Sequence, residues 1–140
     1  MKILFDANVL IPAVLYPKGV CAKAYEKVLS SSEFAIFVCD YTVYEIRRTY
    51  ENKFSDKIDI LELFLTRLFT YAEIISTPPE SEKIQEEDLI RDEKDRPVLR
   101  AAMKFQMDII VTGDKDFLES GIENPKMVTP AEFVSLSICI

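Results

Sequence analysis

Four short apolar runs set the pattern of this chain: KILF (2–5), AIFVC (35–39), EIIS (73–76) and DIIVT (108–112). They are rich in Ile, Val and Phe and show no polar alternation, so each reads as a strand covered on both faces. A weaker fifth run is KMVT (126–129). Helical patterns lie between them at about 20–31, 41–53, 57–70, 94–106 and 130–136, and short helices are expected after Asn8 and Asp114. Strands alternating with helices in this way predict an α/β fold, a single-domain α/β/α layering around a mostly parallel sheet of four to five strands. The length of 140 residues fits one domain spanning 1–140 with a core that needs no disulfides. No repeat, low-complexity tract or dividing linker is visible, and STPPESEKIQEED (76–88) reads as a surface connection.

Local signals support several helix starts. Asp40 or Thr42 can cap the helix carrying Glu45. Arg96-Pro97 and Thr129-Pro130 place a proline in a first helical turn, where its missing N–H has no partner to lose. The 57–70 pattern is apolar around most of its circumference, through Ile58, Ile60, Leu61, Leu63, Phe64, Leu65, Leu68 and Phe69. A surface helix needs only one apolar stripe, so the excess implies either deep burial or a second protein surface.

The absence of histidine removes whole chemistries. With no His there is no Ser-His-Asp triad, no histidine acid–base nuclease and no His-ligated zinc. Cys21, Cys39 and Cys139 are odd in number and lack CxxC spacing, as reduced and mostly buried thiols do. No stretch is apolar for the length of a membrane span, and MKILFDANVL lacks the features of a signal peptide, so a cytoplasmic protein is expected. The net charge of −7 argues against a nucleic-acid partner if the acids are spread over the surface. It does not do so if several of them gather around divalent cations, which reverse the local field.

The stretch VTGDKDF (111–117) bears on that choice. In open parallel sheets, ligands sit beyond the carboxyl ends of the strands. Asp6 closes the first strand and Asp114 follows the fourth, so both leave the sheet at one edge. Glu45 lies about a turn inside the helix after the second strand. Asp95 opens the helix leading into the fourth and joins the others if that helix starts near the same rim. Several carboxylates facing one cavity cannot all ionise without a cation or proton between them. Hard oxygen ligands without His or Cys select Mg²⁺ or Mn²⁺, which suit phosphodiester hydrolysis. Taken singly, each acid also has a plain structural reading. Asp6 can cap a helix, RDEKD can be a charged turn, and Asp114 and Asp116 can cap the helix at 115–119.

As a set, these segments resemble the PIN-domain family of metal-dependent ribonucleases over nearly the whole chain. FDANVL is similar to the family's opening strand, with Asp6 followed by Asn8, and VYEIRR to the segment bearing its second acid, Glu45. RDEKDRPVLRAA resembles the third-acid segment, with Asp95 the better-placed ligand and Asp92 a second candidate. DIIVTGDKDFL resembles the fourth motif, with Asp114 the acid, Asp116 an auxiliary one and Thr112 a hydroxyl near the metal. MVTPAEFV looks like the closing strand and helix of a subgroup of toxins from toxin–antitoxin pairs. DEKD departs from that subgroup, which more often has Pro after its first Asp.

The resemblance implies cleavage of single-stranded RNA by water, with Mg²⁺ or Mn²⁺ held by Asp6, Glu45, Asp95 and Asp114. One carboxylate would also accept a proton, and Asn8 and Thr112 would orient the acids or the water. Arg47, Arg48 and Lys115 are the candidate RNA contacts, each equally readable as an exposed charge. A small antitoxin protein and a homodimer are the implied partners, with the 57–70 helix offering part of such a surface. Rival readings are an RNA-maturation nuclease of the same fold, a PIN-like protein-binding module, and a haloacid-dehalogenase-like phosphatase. The phosphatase would need an Asp where this chain has Asn8.

Overall fold

The computed structural model describes residues 1–136, and Cys139 lies outside the described residues. Five strands, β1 (Lys2–Phe5), β2 (Ala35–Cys39), β3 (Glu73–Ile75), β4 (Ile109–Val111) and β5 (Lys126–Val128), join in one sheet of order β3-β2-β1-β4-β5. Every neighbouring pair is parallel. The expected layered α/β/α fold is therefore present, and KMVT supplies the fifth strand at one edge.

Around the sheet pack α1 (Ala7–Leu15), α2 (Val20–Leu29), α3 (Asp40–Lys53), α4 (Ile58–Tyr71), α5 (Arg96–Lys104), α6 (Lys115–Leu118) and α7 (Pro130–Ser135). Side chains alternate along each strand between two apolar layers, which is why the runs needed no polar positions. Ile3, Phe5, Ile36, Val38, Ile109 and Val111 face the layer built with α1, α2, α3, α4 and α7. Leu4, Phe37, Cys39, Ile75 and Ile110 face the layer closed by α5 and α6. The helix after β1 starts before Asn8 and continues through Pro12 to Leu15. Burial of Val9, Leu10, Ala13 and Val14 offsets the backbone hydrogen bond that Pro12 gives up.

One local expectation changes. Cys39 holds the N-cap position of α3, and neither Asp40 nor Thr42 does. Asp40 Oδ1 instead accepts from Thr77 N at 3.0 Å and Thr77 Oγ1 at 2.7 Å, tying the start of α3 to the segment after β3. Thr42 is fully buried against the core, out of reach of a capping role. The apolar excess of α4 is only partly buried. Leu61, Leu65 and Leu68 enter the core, while Ile60, Leu63 and Phe69 are 50%, 74% and 44% exposed.

The 76–88 segment is more than a surface connection. It forms short 3₁₀ turns at Glu80–Glu82 and Gln85–Leu89 and buries Glu87 completely. Arg100 grips that carboxylate through Nε at 3.1 Å and a terminal nitrogen at 2.7 Å, and donates to Pro78 O at 2.9 Å. Arg96 donates to Ile90 O at 3.0 Å, and Lys104 to Glu82 at 3.0 Å. Three cations spaced four apart on α5 thus pin the segment that leads into Asp92 and Asp95.

Breaking that clasp on one side leaves a buried charge without a partner. Arg100→Met is expected to lower stability by about 3–5 kcal/mol, whereas Arg100→Met with Glu87→Leu recovers most of the loss. Urea unfolding measures both. A single variant as stable as the native chain would show that the pair is dispensable.

Candidate metal centre

The sheet changes direction of growth between β1 and β4, since the chain adds β2 and β3 on one side of β1 and β4 and β5 on the other. The carboxyl ends of two such strands flank the crevice where ligands of open α/β sheets bind. Asp6 and Asp114 leave the sheet there. Asp6 is 4% exposed, and its backbone N–H donates to Val111 O at 3.1 Å. Its Oδ1 accepts from Ala7 N at 2.8 Å, so Asp6 is also the N-cap of α1.

Thr112, fully buried at the end of β4, organises the neighbourhood. Its hydroxyl donates to Asp6 Oδ2 at 2.9 Å and accepts from Asp114 N at 3.0 Å. Asn8 reaches across from α1, accepting from Gly113 N at 3.0 Å and donating to Thr112 Oγ1 at 3.4 Å. Asp114 Oδ1 caps α6 by accepting from Asp116 N at 2.9 Å. Asn8 and Thr112 thus lie between Asp6 and Asp114 in one hydrogen-bonded group.

Asp95 and Glu45 arrive on helices. α5 returns from the β3 side of the sheet to enter β4, so its first residue stands at the same edge as Asp6. Asp95 occupies its N-cap position without making a capping hydrogen bond, and its Oδ2 is buried with no partner. Glu45 lies in the second turn of α3, half-buried, and accepts no hydrogen bond among the described residues.

Burial and mutual repulsion act on these acids together. Burial pushes Asp6 up to about 6, with the Thr112 and Ala7 donors opposing and the Asp114 charge adding. Burial also pushes Glu45 up to about 7, helped by Asp6 and Asp92 and opposed by Lys94. Asp95 is raised as well, first by burial and then by Asp114 beside it, with Asp6 and Asp92 adding. Two facing carboxyl groups offer only acceptors, so a proton or a cation must sit between them.

Among the described residues, the acids that bring one oxygen each within 4.8 Å of the others are Asp92, Asp95 and Asp116, and Asp6, Glu45 and Asp114 stand outside that set. The turn that presents Asp92 and Asp95 is closed by Asp95 N donating to Asp92 O at 3.1 Å and Lys94 N to Asp92 Oδ1 at 3.0 Å. Both aspartates thus reach the cluster, Asp95 from a half-buried position and Asp92 from an exposed one. Hard oxygen donors and an orphaned buried oxygen fit a divalent cation of the Mg²⁺ or Mn²⁺ kind.

Three residues at this edge were not singled out from the sequence. Arg91 Nε lies 3.3 Å from Asp116 Oδ1, and Lys94 opposes the upward shift of Glu45. Tyr41 is half-buried one helical turn before Glu45, and its phenol is pushed up by burial and then by Glu45, Asp95, Asp92 and Asp6. The four-residue spacing from Glu45 was the available signal for Tyr41. Of the proposed RNA contacts, Arg47 is paired with Glu62 of α4. Arg48 and Lys115 are exposed and make no ion pair among the described residues.

A fold of this layering with acids at the β1/β4 crevice defines a class of acid-site α/β proteins, and sequence comparison names the family. The PIN domain profile matches residues 2–116, and the chain belongs to the PIN-domain family, whose members are nucleases that generally use divalent metals. No curated protein matches the chain. Among solved structures it is similar to VapBC2 from Rickettsia felis bound to a DNA fragment from their promoter, at 16% identity and TM-score 0.67, over 92% of this chain and 98% of that one. PAE2754 from Pyrobaculum aerophilum matches at 14% identity and TM-score 0.66, over 96% and 93%. DNA-bound VapBC from Salmonella typhimurium matches at 14% identity and TM-score 0.66, over 93% and 98%. At these identities the structural likeness speaks for the fold.

Raised carboxylates give the metal-free protein a definite pH response. A folded-state pKa above the unfolded value means that the native state holds the extra proton, so stability is full below the unfolded pKa and is lost as pH rises through the folded one. For Asp6 and Glu45 that window runs from about 4 to about 7, and the shift of Asp95 acts in the same direction. The Tm in EDTA is therefore expected to fall between pH 5 and pH 8. Asp95→Asn should flatten the fall and Mn²⁺ should reverse it. Scanning calorimetry reads all three, and a Tm independent of pH in EDTA would mean that the acids are not crowded.

Proposed function

We propose that this chain is a Mg²⁺- or Mn²⁺-dependent endoribonuclease that hydrolyses phosphodiester bonds of single-stranded RNA by water attack. Its whole length, 1–140, serves as one nuclease domain. What supports the reading is the row of acids at the carboxyl edge of the sheet: Asp6 and Asp114 are joined through the Thr112 hydroxyl, Asp95 has an orphaned buried oxygen and shares a 4.8 Å cluster with Asp92 and Asp116, and Glu45 stands in the field of Asp6. Such a group holds a cation strongly because the cation relieves its own repulsion.

Each residue has a distinct task. Asp6, Asp95 and Asp114 would hold the ion, and Asp92 and Asp116, whose oxygens cluster with that of Asp95, would be available to it as well. Thr112 fixes the orientation of Asp6, and Asn8 fixes Thr112 and the Gly113 turn. Glu45, unencumbered by hydrogen bonds, faces the site from α3 and accepts the proton of the attacking water. A bound divalent ion supplies Lewis acidity at the phosphate and a lower pKa for that water. Asp114→Asn is expected to keep the fold and to lower cleavage of a short single-stranded RNA by roughly a hundredfold or more. EDTA should abolish cutting by the native chain. Equal cutting by native and variant chains would refute the assignment, and a folded native chain that never cuts would leave a binding module of the same fold.

The biological setting we propose is that of a cytoplasmic toxin in a toxin–antitoxin pair. The sequence resemblance supports it, as do the VapBC complexes among the structural neighbours. The uncovered Ile60 and Leu63, neighbours on one side of α4, supply an apolar face of the kind that takes a small antitoxin or a second copy of the chain. Leu63→Glu should leave the Tm within about 2 °C of native, as expected for an exposed position, and make the chain monomeric in sedimentation equilibrium. A native chain that is already monomeric at high concentration would remove the homodimer from this reading.

A further inference from the structure

α3 divides its circumference sharply. Thr42, Ile46 and Tyr50, spaced four apart, are fully buried. The helical period then sends Tyr41, Tyr44, Glu45 and Arg48 to another side of the same helix. Tyr44 is 59% exposed, and Arg48 is exposed with no ion pair among the described residues. The Tyr41 ring packs against the core layer beneath β2 while its phenol stands in the field of Glu45 and the aspartates. One strip of surface thus holds two aromatic rings, a guanidinium and an acid of the site.

This composition differs from that of the other uncovered helix. α4 offers the aliphatic side chains Ile60 and Leu63 on its uncovered side, whereas the α3 strip offers flat amphipathic rings and a cation. Aromatic faces with an adjacent guanidinium are what an unpaired nucleic-acid strand uses, because every base has a π-face and every linkage a charge. Position decides between a strand and a protein occupant. The strip runs on from Glu45 on the same side of α3, within reach of the nucleotides that flank a phosphodiester lying among the acids.

We propose that Tyr41, Tyr44 and Arg48 form a stacking strip for unpaired nucleotides next to the scissile phosphate. In it Tyr44 takes a nucleobase, Arg48 an adjoining backbone phosphate, and the Tyr41 hydroxyl a sugar or phosphate oxygen. The inference rests on the nuclease reading and narrows its substrate to strands with an intact, unpaired base beside the cut. Duplex RNA, whose bases are already stacked, is excluded by the same geometry.

The test combines a kinetic readout with one that needs no turnover. Cleavage of a single-stranded RNA decamer with Mn²⁺ is compared for the native chain, Tyr44→Ala and Tyr44→Phe, and a 4-thiouridine version of the decamer is photocrosslinked to each. Tyr44→Ala should raise KM about tenfold with kcat within about twofold, the loss of one stacked base. Tyr44→Phe should keep both constants near native. The native crosslink should fall on the tryptic peptide ending at Arg47 and disappear in Tyr44→Ala. If the native chain cuts RNA but Tyr44→Ala has native KM and the crosslink lies elsewhere, the strip is wrong and the nuclease reading stands. If Tyr44→Ala alters only self-association, the strip belongs to a protein interface. If the native chain neither cuts nor crosslinks, the nuclease reading falls and takes the strip with it.

Discussion

β1 lies against β4 with Phe5 beside Val111, and this pairing brings together residues more than a hundred positions apart. Asp6 and Thr112 are the next residues on each strand, and the Thr112 hydroxyl bonds Asp6 Oδ2 at 2.9 Å. Because both strands run the same way, both chain exits fall at the carboxyl edge. Neither layer of the core could close over antiparallel versions of these strands without moving one acid to the far side. The crevice follows from the direction of growth of the sheet, and the acids follow from the crevice.

Gathering those acids is electrostatically costly, and the surrounding structure absorbs the cost through position. Asp6 keeps two donors, which oppose the upward pull of burial. Asp95 has none on its buried oxygen. The segment bearing Asp92 and Asp95 would drift away under repulsion if it were loose. It is held instead by Arg96, Arg100 and Lys104, which bond Ile90, Glu87 with Pro78, and Glu82 from one face of α5. The Arg100–Glu87 pair is almost fully buried, so its two partners screen each other within the protein, with little help from water.

Two helices divide the remaining work. α3 carries Glu45 to the edge and buries Thr42, Ile46 and Tyr50 behind it, so the position of the acid is set by core packing. α4 contributes Leu61, Leu65 and Leu68 to the core and keeps a second, uncovered apolar side. The chain thus combines an acidic edge with an apolar flank on the other side of α3, where Arg47 and Glu62 link the two helices.

Much of this was legible in the residues. Doubly covered strands leave unbroken Ile, Val and Phe runs, and a parallel sheet places acids after β1 and β4 at one edge. Hence Asp6 and Asp114 could be placed at that edge directly, whereas Asn8 and Thr112 were singled out only through the family resemblance. Other features depended on contacts between distant segments, which periodicity does not report. The buried role of Glu87, inside a stretch as polar as 76–88, needed Arg100 opposite it. Asp40 took Thr77 as its partner because β3 ends beside the start of α3. The presence of Tyr41, Arg91 and Lys94 at the site depended on how one helix and one turn meet the edge. The sequence determined which chemistry was available, oxygen ligands without histidine, and which edge would hold it. Tertiary structure alone decided which acids are buried against each other, and therefore which keep a proton without a metal, because desolvation and mutual repulsion depend on distances that only the packed chain defines.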